Sequence, residues 1–254
     1  MINLSNKIAV VAGGNGGIGS AIVKQFIELG ARTAILDVKQ TENQPEDSAL
    51  SIVADATKEQ DLVDAKNKIV EKWGRIDILV NAIGAPAAAG KTEELSLEDW
   101  RKVVDTDITS AFLLSKIFGQ EMIKNKYGRI VHFSSFHTTA TYPNRAAYNA
   151  AKSGVKGLTR ALAVEWGCYG ITVNAVAPGP IVTPRTSWFL SQSPDVERGM
   201  LGRTPNVRLG QPKDVAALVA FLVSDQALHI NGQEIVIDGG WTKCAWWGKH
   251  EKKY

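Results

Sequence analysis

Tyr148 and Lys152 stand four residues apart in Tyr148-Asn-Ala-Ala-Lys152, an Ala-rich run expected to be helical. Positions i and i+4 of a helix share a face, so the phenol and the ammonium project side by side. A free phenol is a poor base at neutral pH, but a fixed cation beside it stabilises the phenolate. Each tenfold gain in phenolate needs about 1.4 kcal/mol, within what a neighbouring ammonium in a partly dry site supplies. Such a pair would move protons near pH 7. Surface helices also carry Tyr-x-x-x-Lys by chance, so the pair acquires meaning from its surroundings. Ser135 lies thirteen residues upstream of Tyr148, just past the apolar run Arg129-Ile-Val-His-Phe133. That run has the length and β-branched content of a strand. A strand end and the helix after it can bring a hydroxyl, a phenol and an ammonium to one point.

The elements that must hold these groups follow from hydrophobic patterning. Ile8 to Ala12 is a short apolar run without alternation, as expected of a parallel strand buried on both faces. Further strand-like runs are Thr33 to Leu36 with Asp37 at its tip, Ile52 to Ala54, Ile76 to Val80, Arg129 to Phe133, Ile171 to Val176 and Glu234 to Ile237. Helix-like text separates them: Gly17 to Leu29, closed by Gly30; Lys58 to Trp73; an amphipathic region from Ser96 to Lys124; the segment carrying Tyr148; and Pro212 to Val223. This alternation predicts a doubly wound α/β Rossmann fold, a parallel sheet of about seven strands with helices on both faces. Ligands then belong at the carboxyl ends of the strands. No repeat, low-complexity tract or long linker divides the 254 residues. The chain therefore reads as a single domain, with a cofactor half over 1–125, a catalytic and substrate half over 126–242 and a tail over 243–254.

The first turn reads Ala12-Gly-Gly-Asn-Gly-Gly-Ile-Gly19. It satisfies Gly-x-Gly-x-x-Gly at Gly14, Gly16 and Gly19, and Gly-x-x-x-Gly-x-Gly at Gly13, Gly17 and Gly19. Either spacing lets the backbone turn sharply against a pyrophosphate at a helix N-terminus, where N–H donors and the helix dipole meet its charge. The glycines alone are a weak signal. Their context is stronger, because they follow a strand, open a helix and are succeeded 18 residues later by Asp37 at the next strand's tip. A carboxylate there accepts both hydroxyls of an adenosine ribose and repels a 2′-phosphate, which argues for NAD over NADP. Arg32 precedes the second strand and does not reverse that preference.

Together these segments resemble the short-chain dehydrogenase/reductase family from Lys7 to about Thr242. Its motif T-G-x-x-x-G-x-G is matched at Gly13, Gly17 and Gly19, with Ala12 where Thr is usual; Asn15 and Ile18 fall within the same turn. Its N-N-A-G motif is represented by Asn81-Ala-Ile-Gly84, and its P-G turn by Pro178-Gly179. The resemblance implies that Ser135, Tyr148 and Lys152 are catalytic, and that Tyr148 and Lys152 also meet the cofactor, Lys152 at its ribose. It implies that Asp55, with Ala56, meets the adenine and that Ile181 and Thr183 meet the nicotinamide carboxamide. The ending Gly232-Gln-Glu-Ile-Val-Ile-Asp-Gly-Gly240 is similar to the family's last strand. The family's fourth catalytic residue is an Asn in V-N-L-T-G-x-F; here the stretch is Thr106-Asp107-Ile-Thr-Ser-Ala-Phe112, so Asp107 occupies the place. In the family a main-chain carbonyl at that site helps hold a water, and a carbonyl survives substitution. An ionised Asp accepts hydrogen bonds but cannot donate, and its charge would blunt the effect of Lys152 on Tyr148.

Composition bears on partners. The net charge of +3 is too small to argue for nucleic acid or a membrane surface, and much of the basic excess lies in Lys249-His-Glu-Lys-Lys-Tyr254. Hydrophobic content of 44% and charged content of 22% are those of a soluble globular protein. No apolar run approaches a membrane span, and the first strand starts too early to leave room for a signal peptide. Cys168 and Cys244 make neither a metal spacing nor a disulfide framework, so no metal is expected and a cytoplasmic location is.

Substrate identity is less legible. Pro180 to Gly210 is long for a connection and reads as a loop forming a lid, with Trp188-Phe-Leu190 in its middle. Trp188 either lines an apolar pocket or packs on the body, while Arg185, Arg203 and Arg208 either meet an anionic group or stay solvated. His137, Tyr142 and Arg145 are further candidates to touch a small-molecule substrate. The aromatic tail Trp241 to Trp247 is expected to cover a subunit boundary or a neighbouring active site, since exposed tryptophans are costly. The family resemblance implies a homotetramer. The reading is an NAD-dependent dehydrogenase acting on a sugar, polyol, hydroxy acid or other small hydroxy compound. The alternatives are a reductase of 3-oxoacyl thioesters and a non-catalytic NAD-binding module.

Overall fold

A computed structural model describes residues 1–40, 48–84 and 90–245; Trp246, Trp247 and the basic end lie outside the described residues. Seven strands form one parallel sheet: β1 (Ile8–Ala12), β2 (Arg32–Asp37), β3 (Ala49–Val53), β4 (Ile78–Asn81), β5 (Gly128–Phe133), β6 (Ile171–Pro178) and β7 (Glu234–Ile237). The helices are α1 (Gly17–Glu28), α2 (Glu59–Trp73), α3 (Leu97–Val104), α4 (Ser110–Asn125), α5 (Ala146–Trp166), α6 (Pro184–Gln192), α7 (Pro194–Arg203) and α8 (Pro212–Leu222). Among the described residues, no helix is long and apolar enough to cross a membrane.

The strand order is β3-β2-β1-β4-β5-β6-β7, every pair parallel. Strand β1 shows why its sequence carries no alternation. Ile8, Val10 and Ala12 face a core shared with α2, α4 and α5, while Ala9 and Val11 face a second core shared with α1 and α8. Both faces are dry, so both sets of positions are apolar. The strand order reverses between β1 and β4, and the carboxyl ends of those strands open a crevice at the switch point.

The amphipathic region from Ser96 is helical, with α3 and α4 joined by a π-helical stretch, Asp105–Thr109, that contains Asp107. A π segment fits an extra residue into the turn and commonly marks a functional position. The segment from Pro180 to Gly210 is not a loop. It forms α6 and α7, and its ends are tied by a parallel bridge, with Val182 N–H donating to Gly210 O at 2.8 Å and Gly210 N–H to Pro180 O at 2.9 Å. Pro184 and Pro194 each occupy the first turn of a helix, where the missing N–H costs nothing.

Candidate active site

The glycine turn is shaped by main chain. Gly13 has φ +75°, and a Cβ there would sit 3.0 Å from the Ala82 backbone. A Cβ on Gly19 would collide with the Gly13 carbonyl oxygen, so β1, β4 and the start of α1 close together only without side chains. Asp37 stands at the end of β2 with Oδ2 accepting the Asn15 N–H at 3.1 Å, and the Asn15 side chain donates to Lys39 O at 2.8 Å. Gly13, Gly16 and Asp37 border a cavity of about 350 Å³ that also takes in Asp55, Ala56, Thr57, Ile83 and Gly84. The Asp55 carboxylate is already engaged: Oδ1 accepts the Thr57 N–H and hydroxyl at 3.0 and 2.7 Å, and the Thr57 hydroxyl bond leads in holding the group below the usual carboxylate range. Asn81 caps the end of β4, accepting the Ile83 N–H at 3.1 Å.

A second cavity, of about 600 Å³, lies across Gly16 and Ile83 from the first. Its lining includes Asn15, Gly17, Ile18, Ser135, His137, Arg145, Tyr148, Lys152, Pro178, Gly179, Ile181 and Thr183. The four candidates Ser135, Tyr148, Lys152 and Asp107 come together here from three elements. The Lys152 Nζ lies 5.7 Å from the Tyr148 ring centre, donates to Phe133 O at 3.0 Å and pairs with Asp107 Oδ1 at 3.1 Å. Both charged side chains are buried, so the pair is desolvated and each charge depends on the other. The π stretch carries Asp107 to this position. Ser135 begins a short turn, Phe136–Thr138, and its Oγ accepts the His137 N–H at 3.3 Å. That contact occupies a lone pair and leaves the hydroxyl proton to donate elsewhere. Thr183 caps α6 through a reciprocal pair with Thr186, and a Cβ on Gly17 would come within 2.8 Å of Thr183 Cβ. The segment after β6 is thus seated directly on the glycine turn.

Other candidates sit elsewhere. Trp188 on α6 is 70% exposed and lines neither cavity. Arg185 lies in the first turn of α6, with its side chain outside the described residues. Arg208 is paired to Asp214 at 2.6 Å, and Arg203 stacks on Trp241 at 4.1 Å. Tyr142 packs edge-on against Phe136, His137 and Trp241 behind the cavity wall, where burial pushes its phenol up. Trp241 is therefore buried within its own chain rather than spread over a boundary.

Three contributors carried no sequence signal. Glu234 on β7, nearly buried, pairs with Lys156 at 2.6 Å through Oε2 and holds the Thr138 hydroxyl at 2.9 Å through Oε1. The same hydroxyl lies 2.9 Å from Ser135 O, so Glu234 anchors the turn that carries Ser135. Asn149 donates to His137 O at 2.9 Å, tying α5 to that turn. His132 on β5 is fully buried with Nε2 at 3.1 Å from Ser115 Oγ; burial first, then the Lys152 charge, lowers its pKa to about 4. Partners 17, 12 and 96 residues apart leave no local pattern to read. Among the described residues, no group of His, Cys, Asp and Glu could hold a metal ion.

The fold and the cleft define a doubly wound α/β protein with a nucleotide-type crevice ending at a phenol and an ammonium. The sequence pattern of the family described as Enoyl-(Acyl carrier protein) reductase matches residues 12–242. An NAD-dependent glycerol dehydrogenase of Listeria innocua is 35% identical over 94% of this chain and 95% of its own length. A D-threitol dehydrogenase of Mycolicibacterium smegmatis is 35% identical over 94% of each. The structure of an aldohexose dehydrogenase of Thermoplasma acidophilum superposes with a TM-score of 0.90 at 28% identity, covering 98% of both chains. The chain belongs to the short-chain dehydrogenase/reductase family and is an oxidoreductase that interconverts alcohol and carbonyl groups.

Proposed function

We propose that the chain oxidises a secondary alcohol of a sugar, polyol, hydroxy acid or other small hydroxy compound with NAD, and reduces the ketone in reverse. The observation that carries this reading is the pair of adjoining cavities: a glycine cradle with Asp37 at one end, and Ser135, Tyr148 and Lys152 at the other. The residues fit a dinucleotide. Gly13, Asn15, Gly17, Ile18 and Gly19 leave room for a pyrophosphate. Asp37 would take the adenosine ribose, with Asp55 and Ala56 near the adenine, and Asn81, Gly84, Pro178, Gly179, Ile181 and Thr183 along the rest. When bound, NAD supplies the hydride acceptor. Tyr148 takes the alcohol proton as the C–H bond breaks and returns it in the reverse direction. Ser135 donates its hydroxyl hydrogen to the same oxygen, which steadies charge developing there. Lys152, held by Asp107 and Phe133 O, keeps a positive charge beside the phenol. Arg145 and His137 line the wall on the substrate side.

Exposed Trp100, Phe112 and Val164 on α3, α4 and α5 support a homotetramer, a state sedimentation checks directly. The undivided sheet supports one domain over the whole chain, and the exposed thiol of Cys168 supports a cytoplasmic location. A screen of sugars, polyols, hydroxy acids and hydrophobic secondary alcohols with NAD⁺, read as absorbance of the reduced nicotinamide, tests the reaction. Oxidation of none of them while NAD⁺ binds would favour a non-catalytic module. NADH should exceed NADPH by about a hundredfold or more in kcat/KM, because a 2′-phosphate against Asp37 costs several kcal/mol. Parity between the two would remove the case against the acyl-thioester reductases.

A further inference from the structure

The wall beside Tyr148 carries one group whose hydrogen-bonding state is fixed by its neighbours. The His137 ring stands perpendicular to the Tyr148 ring with centres 5.4 Å apart, and both residues line the larger cavity with Ser135. His137 Nδ1 lies 3.1 Å from the Thr141 hydroxyl, and that hydroxyl donates to Tyr142 O at 3.3 Å. A hydroxyl has one hydrogen, so when it is given to Tyr142 O the oxygen is an acceptor for His137. In that arrangement the proton of a neutral His137 sits on Nδ1, and Nε2 presents a lone pair. Burial first, then the nearby Arg145 charge, lowers the His137 pKa to about 4, so the ring is neutral at physiological pH. Asn149, holding His137 O at 2.9 Å, and Phe136, at 4.3 Å between ring centres, fix its place. Among the described residues, Nε2 has no partner and is not sealed from solvent, so a ligand in the cavity can reach it.

Resting on the dehydrogenase reading above, we propose that His137 Nε2 accepts a hydrogen bond from a second substrate hydroxyl, on the carbon next to the one oxidised, which makes vicinal diols the preferred substrate class. The reacting hydroxyl is bounded by Ser135 and Tyr148, and His137 is the residue that abuts both: its N–H holds Ser135 Oγ and its ring meets the Tyr148 ring. The lone pair selects a donor. A hydroxyl qualifies, a methyl leaves the acceptor unpaired, and a carboxylate brings a second acceptor against it. Hydroxy acids are thus disfavoured although Arg145 stands in the same wall.

The test compares 2,3-butanediol, 2-butanol and lactate as substrates of the full chain with NAD⁺. The wild type is expected to favour the diol over 2-butanol by about tenfold in kcat/KM, the scale of one hydrogen bond. His137→Ala should cut that ratio by about tenfold. His137→Asn, which retains an acceptor, should restore part of it, and Thr141→Val, which frees the tautomer, should lower it without removing the ring. Because His137→Ala could disturb the Ser135 turn, ¹⁵N-labelled histidine spectra provide a readout independent of turnover. They should show His137 as the Nδ1–H tautomer at pH 7, and as a mixture in Thr141→Val. Equal rates on diol and 2-butanol, a preference for lactate, or an Nε2–H tautomer would overturn the proposal while leaving the dehydrogenase reading intact. Failure to oxidise any alcohol would instead remove that reading, with the spectra still reporting the state of His137.

Discussion

The two ends of the cleft are built from different material. At the β1 and β2 end, space is made by omission: Gly13 and Gly19 approach neighbouring backbone as no side chain would allow. At the β5 and β6 end, space is bounded by side chains that hold one another: Asp107 and Phe133 O on Lys152, Glu234 on the Ser135 turn, Thr141 on His137. On the proposed reading the first end would bind through main chain, which any compatible sequence supplies once the glycines are present, and the second would do chemistry, which needs particular atoms in particular protonation states. Substitutions of Ser135 and Tyr148 should therefore change rate and pH behaviour while leaving dinucleotide binding largely alone.

The most severe break is Tyr148→Phe. Removing a general acid/base costs about 10²- to 10⁴-fold, so kcat should fall by that much while the affinity for NAD, measured by fluorescence titration, stays within about twofold. Full activity in this variant would remove the assignment of the proton-transfer role. A fall in NAD affinity equal to the fall in rate would erase the distinction between the two ends.

That distinction also explains what the sequence makes legible. The glycine end is written locally: Gly13 to Gly19, then Asp37, all within one strand, turn, helix and strand. The strands β1 and β7 are likewise bounded as their apolar runs suggest. The chemical end is only partly local. Tyr148 and Lys152 share a helix face, but Asp107 reaches Lys152 through a π-helical turn that amphipathic periodicity does not reveal, since α3 and α4 on either side keep the apolar rhythm. Glu234 reaches the Ser135 turn from β7 and His132 meets α4 from β5, and neither pairing is written in any window of sequence. The segment after β6 hid its helices because proline reads as a breaker. Thr183-Pro184 and Ser193-Pro194 are in fact helix starts, the same signal that Gln211-Pro212 gives for α8.

A second prediction places acid sensitivity at the side-chain-built end. His132 donates from Nε2 to Ser115 Oγ, whose own hydrogen goes to Ala111 O at 2.7 Å, and the ring is fully buried. Its pKa falls from 6.5 in the unfolded chain to about 4 in the native state. The unfolded chain therefore takes up a proton below pH 6.5 that the native protein refuses until about pH 4. Stability is undiminished above 6.5 and declines as pH falls between those values, by about 3 kcal/mol if the whole shift is realised. His137 adds a smaller effect of the same sign, being more open to solvent. In urea unfolding from pH 7 to pH 4.5, His132→Leu should flatten most of this slope. An unchanged slope would mean that the acid response arises elsewhere.

The mildest and most discriminating test is Asp107→Asn. Lys152 now meets a carboxylate at 3.1 Å in a dry setting, so the ammonium divides its field between Asp107 and the phenol. An asparagine keeps an oxygen for Lys152 Nζ to donate to and removes the competing charge. Turnover should stay within about tenfold of the wild type, and the limb of the pH profile that requires the phenolate should move to lower pH. Asp107→Leu removes the acceptor as well as the charge and leaves a buried ammonium with Phe133 O alone; breaking a buried pair in this way costs about 3–5 kcal/mol. The two variants therefore separate placement from charge. If the leucine variant is as stable and active as the asparagine one, the carboxylate does not hold Lys152. If the asparagine variant loses all activity, the charge of Asp107 is itself required, and the lysine does not act on the phenol alone.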